Sequence, residues 1–258
     1  MSISAKSNWR VIDFISDLHL QASEAATFAA WHNYMEQTQA DALFILGDLF
    51  EVWVGDDVVN ASDDPDARFV MRCQQVLKLA SDRMEIYFLH GNRDFLLGQD
   101  CADACGMKLQ PDPCVLELDE QRWLLSHGDA LCLGDVEYQQ FRKQVRGQFW
   151  REHFLSKPVA ERQSIARRLR CESEAQKKNG KKFVDLDSAA VLDLLDQAQA
   201  TALIHGHTHH PADHLLRNST GQPLQRLVLS DWDASATPPR LQVLRLVRGD
   251  TPLRLSLV

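Results

Sequence analysis

Short apolar runs at residues 11–16, 42–46, 86–89, 123–126 and 202–204 recur along the chain. Runs of this kind read as buried strands. Between the first two, Phe28, Trp31, His32 and Met35 repeat at helical spacing. Val70, Cys73, Val76, Leu77 and Ala80 do the same before the third. Strands alternating with helices predict βαβ units and an α/β fold. The tail differs. Residues 227–229, 241–246 and 253–257 are apolar runs with little helix between them, which suits a second, partly antiparallel sheet. At 258 residues and 45% hydrophobic content, the chain fits one large α/β domain with a substantial core.

Residues 134–182 break the alternation. They are helical by pattern and contain no strand run. Pro158 fits the first turn of a helix there. The stretch holds 13 basic and 6 acidic side chains, a balance of +7 in a chain of −8, so the remainder carries −15. Phe141, Val145, Phe149, Trp150, Phe154 and Leu155 add a wide apolar face. Most stretches of this kind are helical hairpins packed on the body with solvated charges. This one sits between motifs able to bind metal, which places it over or beside their site. Basic residues beside an apolar face also suit a charged lipid at an anionic membrane surface.

Each of the five strand runs leads into a candidate metal ligand. In order these are Asp17-x-His19, Gly47-Asp48, Gly91-Asn92, His127 and His205-Gly206-His207. Sites in open α/β sheets form outside the carboxyl ends of the strands, so the pattern predicts the ligands gathered at one sheet edge. Carboxylate, amide and imidazole without cysteine suit Mn²⁺, Mg²⁺, Fe or Zn²⁺ in a two-metal hydrolytic centre. Asp48 is the candidate bridge. Asp17 and His19 are assigned to one ion, Asn92 and His127 to the other, and His205 and His207 supply one imidazole to each. Such a centre acidifies a water and polarises a phosphoryl oxygen, which predicts hydrolysis of a phosphate ester or phosphoanhydride. Singly, Asp-x-His and Gly-Asp are ordinary turns; the ordered set carries the argument.

Asp17-x-His19, Gly47-Asp48, Gly91-Asn92-x-Asp94, Ser126-His127-Gly128-Asp129 and Gly206-His207-x-His209 together resemble the calcineurin-type metallophosphoesterases. Residues 16–20, 46–57, 90–98 and 204–209 are similar at a finer level to the branch that cleaves UDP-2,3-diacylglucosamine in lipid A biosynthesis. The wider family commonly has histidine after the Gly-Asn pair. Arg93 stands there, as it does in that branch. His210 replaces an arginine frequent in the branch and receives no role.

The resemblance implies a four-layer α/β/β/α sandwich of two mixed sheets. Residues 1–133 and 183–258 form its core, and 134–182 a helical cap that holds acyl chains. It implies release of UMP and 2,3-diacylglucosamine 1-phosphate by attack of water on the α phosphorus, with two divalent ions, Mn²⁺ by resemblance. Asn92, Arg93 and His205 are placed at the phosphate. Asp135, Tyr138, Ser173, Lys177 and Lys178 are placed on the substrate. Asp129 is a candidate to orient His127. A metallophosphoesterase of soluble nucleotides or nucleotide sugars, or a non-catalytic scaffold on the same fold, are the alternatives.

Composition changes this picture little. The first residues lack a basic-then-apolar pattern, and no run approaches the roughly 18 apolar residues of a membrane span. The expectation is therefore a cytoplasmic protein bound peripherally to the inner membrane, with no obligatory protein partner. The six cysteines, none in a Cys-x-x-Cys pair, read as reduced thiols. A net charge of −8 argues against nucleic acid as a partner.

Overall fold

A computed structural model describes residues 1–60, 64–178 and 184–257, with only the backbone described over 172–178. Among these residues the strands, in chain order, are β1 (Ser2–Ser4), β2 (Val11–Ile15), β3 (Ala42–Leu46), β4 (Glu85–Leu89), β5 (Met107–Gln110) and β6 (Cys114–Leu118). They continue with β7 (Gln121–Ser126), β8 (Ala202–His205), β9 (Ala212–Arg217), β10 (Pro223–Val228), β11 (Gln242–Val247) and β12 (Leu253–Ser256). The helices are α1 (Ala25–Gln37), α2 (Pro65–Ser81), α3 (Gln99–Cys105), α4 (Val136–Val145), α5 (Gln148–Leu155), α6 (Val159–Lys178) and α7 (Ser188–Gln197). All five runs that lead into candidate ligands are strands.

The strands form two mixed sheets, ordered β12-β11-β2-β3-β4-β5 and β1-β6-β7-β8-β10-β9. Strands β2 to β5 run parallel, as βαβ units require. The tail does not make the second sheet by itself. β10 joins β8 and β9 in one sheet, whereas β11 returns to pair antiparallel with β2 in the other. Apolar pattern alone does not say which edge a strand will join.

Alternation within the strands sorts the layers. Phe14, Phe44 and Leu46 face Leu116, Leu125, Ile204 and Leu227 between the sheets. Leu43 and Ile45 point the other way, onto Trp31 and Met35 of α1 and Cys73 and Leu77 of α2. On the far side, Leu124 and Leu203 meet Val191 and Leu195 of α7. This is a four-layer α/β/β/α sandwich. Strands buried on both faces show as continuous apolar runs, which is why these were conspicuous in the sequence.

Two carboxylates fix the surrounding segments. Asp64 caps α2 by accepting from the Asp66 amide, with Pro65 at the first helical position. Asp56 instead reaches α3, accepting from the amides of Gly98 and Cys101 at 2.8 and 3.0 Å. Helices α4 to α6 cover residues 136–178 as the pattern predicts. Trp150 and Phe154 stack at 4.7 Å and pack onto the α1–α3 side of the core. Arg162, only 1% exposed, bonds the Val54 carbonyl and Asp57, fastening α6 to the loop after β3. Phe149 is not part of the packed apolar face; it is 83% exposed.

Candidate metal centre

The ligand loops have backbone conformations that L residues ordinarily avoid. Asp17, His19, Asp48, His207 and His209 all have φ between +49° and +66°. Each such residue costs about 1–3 kcal/mol and persists where its surroundings impose it. Here the loops bond one another: the Asp17 and His19 amides donate to Gly47 and Asp48 carbonyls, and the His207 amide donates to Asp17 Oδ2 at 2.9 Å. Gly47, at φ +88°, lets the loops after β3 and β4 touch; a Cβ there would lie 2.5 Å from the Gly91 backbone. That contact brings Asp48 beside Asn92.

Two groups of ligand atoms result. In the first, Asp17 Oδ1 is buried and accepts no hydrogen bond. It lies 3.2 Å from His209 Nε2 and 4.0 Å from His19 Nε2, and those two nitrogens are 3.3 Å apart. In the second, Asn92 Oδ1 lies 3.0 Å from His127 Nε2 and 2.8 Å from His207 Nδ1. Asp48 stands between them, Oδ2 being 4.0 Å from His19 Nε2 and Oδ1 3.8 Å from His127 Nε2. Its two oxygens face one group each, the disposition a bridging carboxylate requires.

The far nitrogens of two rings face acceptors. His19 Nδ1 lies 2.9 Å from Glu51 Oε2, and His127 Nδ1 donates to the Leu46 carbonyl at 2.8 Å. A ring held in this way presents its other nitrogen as a lone pair, as a metal ligand must. Electrostatics agree. Burial opposes charge on Asp17, yet His209, His127 and His19 outweigh it and hold the carboxyl well below its usual range. Burial likewise opposes charge on His127, but Asp48, Asp17 and Asp129 draw it up to about 9. Burial, then the His127 charge, pushes His207 down to about 3. A buried acidic cluster that draws a proton onto one imidazole is a fit environment for divalent cations. Asp94 organises both turns, accepting from the amides of Gly91, Leu49 and Asp48.

His205 is not in either group. Leu203 packs toward α7, and alternation puts His205 on that same outer face. Its Nδ1 donates to the Gly206 carbonyl, and its ring stands against Gly128. The imidazoles that converge are His207 and His209, both in the loop beyond the strand. Asp129 does not orient His127 either. It accepts from Tyr138 and Arg142 of α4, and Arg146 bonds the Gly91 carbonyl at 2.8 Å. Arg142 of α4 and Arg146 just past its end thus fasten that helix to the ligand loops rather than standing in solvent.

Arg93, Asp135 and Tyr138 line a cavity of about 700 Å³. Asp135 also caps α4, accepting from the Tyr138 amide. The Tyr138 ring lies 6.0 Å from that of His207, nearly parallel. Ser173, Lys177 and Lys178 carry side chains outside the described residues. The same cavity is lined by His19, Asp48, Asn92, His207 and His209 and by the apolar Trp53, Phe95, Leu96, Phe141, Trp150 and Leu169. Two residues that the sequence did not single out also line it, Glu51 and Arg170. Among the described residues, no cysteine is disulfide-bonded, and no helix is long and apolar enough to cross a membrane.

The calcineurin-like phosphoesterase family model matches residues 10–211. Three similar proteins are each named UDP-2,3-diacylglucosamine hydrolase. The one from Bordetella pertussis is 41% identical over 229 residues, covering 87% of each chain. That from Chromohalobacter salexigens is 39% identical over 244 residues, covering 93% of this chain and 94% of its own. That from Aeromonas hydrophila is 42% identical over 222 residues, covering 85% and 89%.

Proposed function

This chain belongs to the calcineurin-like phosphoesterase family, and from that premise we propose that it hydrolyses UDP-2,3-diacylglucosamine to UMP and 2,3-diacylglucosamine 1-phosphate. The observation that carries the reading is the continuity of the cavity. One cavity is lined both by candidate metal-ligand side chains and by Trp53, Phe95, Phe141 and Trp150, which suits a substrate that joins a diphosphate to acyl chains. The relatives' shared name supports it. Apolar side chains on the cavity wall suit acyl chains better than the polar groups of a soluble nucleotide sugar.

Asp17, His19, Asp48 and His209 would hold one divalent ion, and Asp48, Asn92, His127 and His207 the second. Bound there, the ions supply a water acidified toward neutral pH and polarisation of a phosphoryl oxygen; Mn²⁺ suits this nitrogen- and oxygen-rich set. Arg93 lines the cavity beside Glu51. Its guanidinium neutralises the diphosphate, and its buried Nε has no hydrogen-bond partner in the free protein. Asn92 and Arg93 orient the phosphates, and Asp135 and Tyr138 face the sugar. Ser173, Lys177 and Lys178 extend that contact. Residues 134–182 act as the cap over the acyl chains, and their basic balance favours the anionic cytoplasmic face of the inner membrane.

Incubation with UDP-2,3-diacylglucosamine and, separately, UDP-glucose tests the reading. UMP release from the lipid substrate alone is the expected result. Equal turnover of UDP-glucose points to the soluble-substrate alternative, and no turnover of either to a scaffold.

A further inference from the structure

Glu51 touches three parts of the site at once. It is 8% exposed and lies on the loop after β3, three residues past Asp48. Its Oε2 lies 2.9 Å from His19 Nδ1. Its Oε1 faces Arg93 Nη1 at 3.5 Å and Arg170 Nε at 3.3 Å. Arg93 comes from the loop after β4 and Arg170 from α6, so one carboxylate joins a ligand loop, a phosphate-binding arginine and the cap.

We propose that Glu51 is a positioning residue that sets the ring of His19 for metal binding and holds Arg93 and Arg170 together on the wall of the cavity. This rests on the function proposed above and on its ligand assignment. Two chemical facts carry it. A carboxylate on Nδ1 fixes the tautomer in which Nε2 is a lone pair and makes that nitrogen a stronger ligand. Two guanidinium groups repel one another unless an anion lies between them, and Glu51 Oε1 is that anion. Glu51 therefore affects metal affinity through His19 and substrate grip through Arg93 and Arg170. Its reach is lopsided: His19 belongs to the Asp17–His209 group alone, and no ligand of the Asn92–His127–His207 group touches Glu51.

That asymmetry makes the test specific. Metal-free wild type, Glu51→Gln and Glu51→Asp are titrated with Mn²⁺ alone in a calorimeter, and kcat and KM are measured on UDP-2,3-diacylglucosamine. In Glu51→Gln one Mn²⁺ step should weaken by about 10–100-fold, the usual effect of losing such a partner, while the other step holds. Glu51→Asp, which keeps the charge, should recover part of the loss. At saturating Mn²⁺ the kcat of Glu51→Gln should remain reduced, because Arg93 and Arg170 have lost their anchor. Should Glu51→Gln fail to fold, Arg170→Gln takes its place: it should raise KM and leave both Mn²⁺ steps as in wild type. Equal weakening of both steps, an unchanged titration, full recovery of kcat at saturating Mn²⁺, or an Arg170→Gln variant with wild-type KM overturns the proposal. Wild-type turnover of the lipid substrate, measured in the same series, reports on the functional reading separately.

Discussion

Asp17 Oδ1 and His209 Nε2 lie 3.2 Å apart, and they come from loops that follow strands of different sheets. The candidate centre is therefore built across the seam of the sandwich, not along the edge of one sheet. Both residues have positive φ, so each loop is held in a strained conformation at the point of contact.

The first prediction separates the two histidines that flank His207. His209→Ala should lower turnover by about 100-fold or more, since a metal ligand and its charge balance are both lost. Metal content per chain, read by elemental mass spectrometry, should fall with it. His205→Gln should keep its metal and lose less than about tenfold, because that ring faces the α7 side. A metal-replete, fully active His209→Ala protein would falsify the ligand assignment.

The second prediction concerns the glycine contact beneath Asp48. Gly47→Ala requires a left-handed conformation that costs about 1–2 kcal/mol by itself. Its Cβ would also meet the Gly91 backbone at 2.5 Å and His127 Nδ1 at 2.7 Å. The loops must part, which moves Asp48 away from Asn92. A lowered melting temperature together with weakened Mn²⁺ binding is expected. Loss of stability with intact metal binding would mean the loops relax without separating the ligands.

The strands and most of the ligands were legible because buried strands leave continuous apolar runs and the ligand loops follow them directly. Asp17, His19, Asp48, Asn92, His127 and His207 all converge as their positions suggested. The sequence reading assigns His205, whereas the structure brings His209 to the cluster, because β8 extends one residue further than its apolar run, through His205. Counting alternation from that strand end sends His205 outward. Glu51, Arg142, Arg146 and Arg170 were illegible for a different reason. Their partners lie between about 10 and 120 residues away in the chain, and nothing local distinguishes a buried charged side chain from a solvated one. The tail strands show the same limit, since period-2 patterning does not encode the pairing partner.

The third prediction follows from Asp129. Its carboxyl is buried, and burial alone would raise its pKa, but His127, Arg146 and Arg142 outweigh that and hold it well below the usual range. An unfolded aspartate titrates near about 3.9. The folded value is the lower one, so the stabilisation is complete above the unfolded pKa and is lost as pH falls through the folded pKa. Asp129→Asn should therefore lose about 1–3 kcal/mol at neutral pH and show a flatter decline of stability in acid. Urea unfolding from pH 7 down to pH 3 checks this. Parallel pH profiles for the two proteins would remove Asp129 as the group responsible.

The fourth prediction tests the apolar lining of the cavity. Phe141 and Leu169 line the cavity from α4 and α6 and belong to neither group of ligand atoms. Phe141→Asp or Leu169→Asp should raise KM for the diacylated substrate by about tenfold or more, as burying a charge against an acyl chain implies. Hydrolysis of a small aryl phosphodiester should change little. Binding energy from the chains also contributes in the transition state, so kcat on the lipid substrate is expected to fall as well. Equal losses on both substrates would mark these residues as supports of the fold and favour a soluble substrate.

The fifth prediction identifies the phosphorus that is attacked. The diphosphate has two, and cleavage at either gives the same two products. They differ only in which product carries the oxygen that came from water. Asn92 lies against His127 and His207, and Arg93 follows it in the chain and lines the same cavity. The orientation tested has the acyl chains against the apolar side chains, the sugar-side phosphate at Arg93 and the UMP-side phosphate at the centre. Water should then add to the UMP-side, or α, phosphorus, and the sugar phosphate should leave. Hydrolysis in ¹⁸O-water followed by mass spectrometry should find the label in UMP and none in 2,3-diacylglucosamine 1-phosphate. Label confined to the lipid product would keep the hydrolase and reverse the substrate in the cavity, with the nucleotide beside the cap and the sugar phosphate over the centre.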